Sequence, residues 1–317
     1  MNKRVIVDAF GGDHSPLEII KGVKIALENS KFDVILCGNS REIEKVASEN
    51  FIDISGIEII NCDSVLSNDD DPLEITRSKK NSSMALGLYA LADNRGDAFV
   101  SAGNSGALLV GTSLIVKRSK GVKRIAFTPF VPKHKGKFLL LDGGANTQCT
   151  PEMLLQFAFM GSNYIKNISK IKSPKISLLN IGMEKEKGDE LRKETFKLLK
   201  NSNLNFIGNI EANQVLKSES DVVVTDGFSG NIFIKTFEGV AENLVDRFKS
   251  IFDNLLSKSK IFESQFDVVK KLVSYSRQGG ALLLGASKPV IKAHGTSKAE
   301  AIKNAISLAA RSIVNKA

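Results

Sequence analysis

The sequence predicts an α/β protein built on a doubly wound, mostly parallel sheet with helices on both faces. Short β-branched runs alternate with segments of helical period through most of the 317 residues. Nearly every apolar run also closes on a turn that sets glycine beside Asp, Asn, Ser, Lys or His, as βα connections do. No internal repeat, low-complexity segment or flexible linker interrupts the pattern, so residues 1–317 are expected as one domain.

In chain order, Val5–Val7 reads as a buried strand that runs through "DAFGGDHSP" into the helical pattern "PLEIIKGVKIALENS", with Asp13 as a possible helix cap. "DVILCG" and "IEIINC" are strands, followed by helices in "REIEKVASEN" and in the long "DPLEITRSKKNSSMALGLYALADN". "DAFVSAG" feeds the helix "GNSGALLVGTSLIV", and "RIAFTPFVP" and "KFLLLDGGAN" are close enough to pair as a hairpin. Alternation then resumes through "KISLLNIG", "GDELRKETFKLLKNS", "NFIGNI", "EANQVLK" and "DVVVTDG". Residues 231–275 carry no strand signal. There Leu244, Phe248, Ile251, Phe252 and Leu255 recur at three- and four-residue spacing, which predicts an amphipathic helical hairpin with Ile261 and Phe262 near its tip. Such a stripe buries against protein, in a core or a dimer, or touches a membrane.

Three scattered cysteines without CxxC or Cys/His spacing predict a reducing compartment and no metal site. The chain runs from Lys3 and Arg4 straight into a strand, and no apolar run approaches the length of a membrane span. A cytoplasmic protein is the expectation. The net charge of +9 favours acidic partners: a phosphorylated ligand, an acidic protein or an anionic membrane. Zinc-finger spacing, basic-helix arrays and stacking aromatics are missing, which argues against nucleic acid.

Chemistry is expected at the turns. "VDAFGGDH", "VSAGNSGAL", "LDGGANTQ", "LNIGMEKEKGDE", "VTDGFSGNI" and "IKAHGTSKA" would together line one sheet edge with backbone N–H groups and helix N-termini, the physics of an anion site. In "GNSGA" the glycines expose amides, and Asn104 and Ser105 add neutral donors; a capped helix start is the plainer reading. Neither a P-loop nor a GxGxxG after the first strand occurs. Lys292 and His294, two apart on an extended run, share a face and can hold a dianion or protonate a leaving group. Asp142 and Asp226 read as acids, as orienting groups, or as turn carboxylates bonded to nearby amides. Cys149 in "NTQCTPE" is expected as a buried structural thiol.

These turns, in this order, resemble the acyl carrier protein:phosphate acyltransferases, the PlsX-type family, over almost the whole chain. The matching stretches are "DAFGGDHSP", "SAGNSGA", "LLDGGANTQCTPEMLLQFAFMGS", "LLNIGMEKEKGDEL", "NFIGNIEA", "VVVTDGFSGNIFIKTFEG" and "VIKAHGTS". The resemblance implies an isocitrate/isopropylmalate dehydrogenase-like fold and a homodimer in peripheral contact with a membrane. The reaction it implies converts long-chain acyl-[acyl carrier protein] and inorganic phosphate to acyl phosphate and free carrier protein, without metal or organic cofactor, and feeds a membrane glycerol-3-phosphate acyltransferase in phospholipid synthesis. On that reading Asn104, Ser105 and Gly106 cradle phosphate, and Lys292 and His294 stabilise charge or protonate the departing thiolate. Asp226 joins them as a third catalytic group. Asp8, Gly11, Gly12, Asp13, Asp142, Asn146, Gly227, Asn231 and Gly295 complete the pocket, and Phe248, Phe252, Ile261 and Phe262 serve membrane or dimer contact.

Four positions depart from the family pattern: Phe10 for Met, Ser105 for Thr, Gly143 for Val, and Asn213 where Arg is common. The first three keep the polar positions intact, whereas Asn213 removes a cation. The alternatives are a phosphotransacetylase-like enzyme acting on acyl coenzyme A, a nicotinamide-dependent hydroxyacid dehydrogenase of the same architecture, and a membrane scaffold without catalysis.

Overall fold

A computed structural model describes residues 2–28, 30–256 and 279–314. Twelve strands run through these residues: β1 (Lys3–Asp8), β2 (Phe32–Gly38), β3 (Glu58–Asn61), β4 (Ala98–Ser101), β5 (Ala126–Thr128), β6 (Phe130–Pro132), β7 (Lys137–Leu141), β8 (Ile176–Asn180), β9 (Phe206–Glu211), β10 (Val222–Val224), β11 (Ala281–Leu284) and β12 (Val290–Lys292). The helices are α1 (Leu17–Leu27), α2 (Ser40–Glu49), α3 (Ser83–Ala92), α4 (Ser105–Gly111), α5 (Pro151–Ile168), α6 (Glu190–Lys200), α7 (Ala212–Val215), α8 (Gly227–Leu256) and α9 (Ala299–Val314).

The alternation builds two sheets rather than the one expected. A seven-stranded sheet has the order β3-β2-β1-β4-β12-β11-β5, and a five-stranded sheet the order β6-β7-β10-β8-β9. Contacts group the chain accordingly into two compact units, Met1–Phe127 with Gln278–Ala317, and Thr128–Arg277. Strands β3-β2-β1-β4-β12 and β7-β10-β8-β9 pair in parallel, and β11–β12 and β6–β7 are antiparallel. The predicted hairpin is therefore β6–β7, while β5 joins the other sheet. The six Gly-containing turns divide three and three: those after β1, β4 and β12 leave the larger sheet, and those after β7, β8 and β10 leave the smaller one.

Local chemistry sets the helix ends. Asn39, Ser82, Thr150 and Asp189 cap α2, α3, α5 and α6 with side-chain oxygens, and Pro151 opens α5. The long helix expected over "DPLEITRSKKNSSMALGLYALADN" is instead a short 3₁₀ segment, Pro72–Thr76, and then α3, because polar residues 77–82 present no apolar face and Ser82 starts a new helix. Asp13 caps nothing: α1 begins after Pro16, without a side-chain cap. The α4 helix widens into a π turn over Thr112–Val116, where the Thr112 hydroxyl donates to the Leu108 carbonyl at 2.6 Å.

Both units bury apolar strands under helices. Ile6, Leu36 and Phe99 of the larger sheet are fully buried, as are Ile20 of α1 and Leu88 of α3. In the smaller sheet Phe138, Leu140 and Val223 cluster with Ile234 of α8, and Phe233 and Phe237 pack against them. Each such side chain is worth about 1.5–3 kcal/mol of burial. Beyond that contact α8 leaves Val240, Leu244, Phe248 and Ile251 at least half exposed. Ile261, Phe262 and the side chain of Phe252 lie outside the described residues.

The first unit closes around α1 and α9. Gly22 of α1 lies so near α9 that a β-carbon there would stand 2.6 Å from Ile302 Cβ and 2.8 Å from the Ala299 carbonyl oxygen. Gly22→Ala is therefore expected to cost about 1–3 kcal/mol by overpacking, read as a lowered urea midpoint; an unchanged midpoint would mean the helices move apart freely.

Candidate functional site

In the first unit β1, β4 and β12 end abreast, since Val7 pairs with Val100, and Lys292 with Ser101. Ser101, on the middle strand, ties the three turns together. Its hydroxyl donates to Asp8 Oδ2 at 2.7 Å and accepts from the Gly103 N–H at 3.0 Å, while its carbonyl accepts from the Ala293 N–H at 2.9 Å. Gly11 seals this contact: a β-carbon there would lie 2.7 Å from Asp8 Oδ2 and from Gly103 N. The Asp13 N–H donates to the Gly295 carbonyl at 2.9 Å, fastening the first turn to the last, and Gly12 accepts from Ser15.

Asp8 is buried. Desolvation raises its carboxyl above the ordinary range, opposed by hydrogen bonds from Ser101, Ser83 and the Phe10 N–H and by the charge of Lys292. Lys292 Nζ donates to the Ala102 carbonyl at 3.2 Å and to that of Ala293, which holds the ammonium over the turn after β4. His294 stands beyond the strand end. Its Nδ1 accepts from the Thr296 N–H at 3.3 Å and lies 2.9 Å from the Thr296 hydroxyl. An Nδ1 that accepts leaves the proton of the neutral ring on Nε2, as a donor.

Asn104 is buried and fully occupied. Its Oδ1 caps α4 at the Ala107 N–H (3.0 Å), and its Nδ2 donates to the carbonyls of Ser67, Asn68 and Asp70 at 3.2–3.3 Å. The side chain expected as a phosphate donor thus anchors the 67–70 loop. What the "GNSGA" turn offers an anion is the first helical turn at exposed Ser105 and at Gly106, which packs on Pro72.

In the second unit Asp142 follows β7 and is completely buried. Its carboxylate accepts from the N–H groups of Gly144, Ala145 and Asn146 and from Asn146 Nδ2, at 2.7–3.1 Å. Burial raises its carboxyl, and these four donors oppose the rise. The Asn146 carbonyl in turn accepts from the Gly227 N–H at 2.7 Å, and Asn231 is exposed over Gly144. Asp226 caps the first turn of α8 through the Ser229 N–H (2.9 Å) and pairs with Arg192 Nη2, which also reaches Ser229 Oγ at 2.8 Å; Arg192 Nη1 bonds Asp189 at 2.9 Å.

The Asp226 carboxylate, anticipated as a catalytic group, is engaged by the Arg192 guanidinium and by the first turn of α8. Burial pushes the Cys149 thiol up to about 11, consistent with a structural cysteine. The expected residues fall into two sets. Asp8, Gly11, Gly12, Asp13, Asn104, Ser105, Gly106, Lys292, His294 and Gly295 gather in the first unit, and Asp142, Asn146, Asp226, Gly227 and Asn231 in the second. Sequence reasoning missed Ser101 and Arg192. Ser101 precedes the conspicuous glycines as the last residue of a strand, a place where a lone serine signals little. Arg192 hides in the charged pattern "GDELRKETF" of an ordinary helix start.

Two outcomes follow. A buried carboxyl with a raised pKa stabilises the fold below the ordinary carboxylate pKa and loses that contribution as pH rises through its folded value. Ser101→Ala removes the strongest opposing hydrogen bond, so its melting deficit against the parent should widen from pH 4 to pH 8, reaching about 1–3 kcal/mol at the higher pH; a flat deficit would refute the coupling. Arg192→Ala should cost about 3 kcal/mol by stranding Asp226, with Arg192→Ala/Asp226→Ala less destabilised than the sum of the single variants.

The family model described as "Fatty acid synthesis protein" matches residues 3–317. The phosphate acyltransferase of Thermoanaerobacterium thermosaccharolyticum is 45% identical over 307 residues, spanning 96% of this chain and 91% of that one. Its namesake from Alkaliphilus oremlandii is 41% identical over 316 residues, 99% and 94%. Among solved structures, a phosphotransacetylase from Streptococcus pyogenes superposes with a TM-score of 0.68 at 18% identity, covering 98% and 94% of the two chains. A 4-hydroxythreonine-4-phosphate dehydrogenase from Klebsiella pneumoniae gives 0.59 at 11% identity, covering 99% of each. These two share the doubly wound α/β fold. With full-length matches at this identity, the chain belongs to the phosphate acyltransferases of the fatty acid synthesis protein family.

Proposed function

We propose that this protein transfers the acyl group of a long-chain acyl-[acyl carrier protein] to inorganic phosphate, releasing acyl phosphate and the free carrier thiol. One observation carries the reading at the residue level: the ends of β1, β4 and β12 converge through Ser101, bringing Lys292, His294 and the first turn of α4 to one sheet edge. Phosphate is already a nucleophile, so catalysis needs an anion held in position and donors for the tetrahedral oxyanion. The amides of Ser105 and Gly106 and the Lys292 ammonium supply the first. His294, with its proton on Nε2, supplies a donor to the oxyanion or to the departing thiolate. Phosphate oxygen forms the new bond to the acyl carbon as the carbon–sulfur bond breaks; the proton that hydrogen phosphate gives up balances the one the leaving thiolate takes, and the neutral His294 ring donates its Nε2 hydrogen bond to the oxyanion or the departing sulfur. Asp8, held by Ser101, fixes the end of β1 behind Lys292.

The reading extends to a homodimer in peripheral contact with a membrane, supported by the exposed stripe Val240, Leu244, Phe248 and Ile251 on α8. Its acyl phosphate would then pass to a membrane glycerol-3-phosphate acyltransferase.

The test incubates the protein with palmitoyl-[acyl carrier protein], with and without phosphate, follows thiol release and traps acyl phosphate as hydroxamate. Phosphate-dependent release with hydroxamate is expected, with palmitoyl coenzyme A a poorer donor; preference for coenzyme A would favour the phosphotransacetylase-like alternative, and release without phosphate a thioesterase. Lys292→Ala and His294→Ala should each slow turnover at least tenfold, about 1.4 kcal/mol of barrier. Rates within about threefold would remove them from the chemistry.

A further inference from the structure

The positive charge of this chain is not evenly spread. Residues 98–141 contain eight Lys and Arg and no Asp or Glu, so this stretch alone carries +8 of the net +9. Five of the eight, Lys117, Arg118, Lys120, Lys123 and Arg124, lie on one loop of the first unit, and all five are exposed. The loop is pinned. The Ser287 N–H donates to the Lys117 carbonyl at 3.0 Å, the Ser119 N–H to that of Gly285 at 2.9 Å, and the Ser119 hydroxyl to that of Ala286 at 2.9 Å. Arg118 also donates back to the Lys123 carbonyl. Lys21, Lys79, Lys175, Lys197, Lys235 and Lys303 each meet a carboxylate within 4 Å, but among the described residues Lys117, Arg118, Lys120 and Arg124 meet none. A fixed cluster of uncompensated cations is a partner-facing surface rather than a solvated ion-pair network.

We propose that the 117–124 loop is the docking surface for the acidic carrier protein, a proposal that rests on the acyl-transfer reading above. The loop is joined to the Ser105–Gly106 turn by α4 and its π extension. Twelve residues at about 1.5 Å each place it about 18 Å along the helix from that turn. A carrier protein presents its thioester at the tip of a long flexible arm, so its carboxylate-rich surface binds at a distance from the bond that breaks. The opposed charges also speed encounter. An anionic membrane is the weaker occupant. Leu114 is the one large apolar residue of the 114–124 segment that is strongly exposed, too little apolar surface to hold a bilayer.

The test reverses charge at Lys117, Lys120 and Arg124 together (Lys117→Glu, Lys120→Glu, Arg124→Glu), positions outside the acyl-transfer machinery. Fluorescently labelled holo carrier protein is titrated into parent and variant, and turnover is measured with palmitoyl carrier protein and with carrier-free palmitoyl pantetheine. The variant should bind the carrier at least tenfold more weakly, with a shallower salt dependence, and lose turnover on the carrier-bound substrate through KM, while turnover on palmitoyl pantetheine stays within twofold. Equal carrier binding by parent and variant would overturn the proposal, as would equal losses on the two substrates. Loss of sedimentation with phosphatidylglycerol vesicles at unchanged carrier affinity would assign the loop to lipid instead. Absence of phosphate-dependent turnover in the parent with both substrates would refute the acyl-transfer reading, while the binding titration still decides the docking surface.

Discussion

The first unit depends on one buried hydrogen-bonded serine. Ser101 lies on the middle of three adjacent parallel strands, and its three bonds bind the ends of all three: side chain to Asp8 on β1, side chain to Gly103 on its own turn, and carbonyl to Ala293 past β12. Burial raises the Asp8 carboxyl, and hydrogen bonds, from Ser101 above all, oppose that rise together with the nearby Lys292 cation. The turn geometry that presents Ser105, Gly106, Lys292 and His294 at one edge is a consequence of how that carboxylate is satisfied.

The second unit solves the same problem with different chemistry. Asp142 wraps three consecutive N–H groups around one carboxylate, making the "DGGAN" turn its own ligand. Asp226 takes a cation, Arg192, together with a helix cap. In both cases the acid that looked available for proton transfer is spent on architecture. In the first unit the corresponding strand end carries Lys292, bonded to the Ala102 and Ala293 carbonyls, and His294, bonded to Thr296.

Periodicity made most elements legible, because most strands are short apolar runs buried in their sheets, and helices carry clear caps such as Asn39, Thr150 and Asp189. It misread the helix over residues 72–92, where the capping preference of Ser82 outweighs the continuity of the apolar residues on either side. The assignment of six turns to one sheet also failed. Strand alternation reads the same whether the next strand joins the sheet already begun or starts a second one, and β5 and β6, two residues apart in sequence, go to different sheets.

The sequence by itself determined the α/β class, the turns that carry polar residues, and, through seven motifs in register, the family. These are local properties of spacing and composition. Tertiary structure alone decided which of those residues are spent and which are open to a ligand. Asn104 looks like a donor until three carbonyls of the 67–70 loop fold onto it, and Asp226 looks like an acid until Arg192 arrives from another helix. Ser101 acquires its importance only when β1 and β12 pack on either side of β4. A polar side chain's role is set by the partners that burial brings within hydrogen-bonding distance, and those partners lie up to about two hundred residues away in the chain.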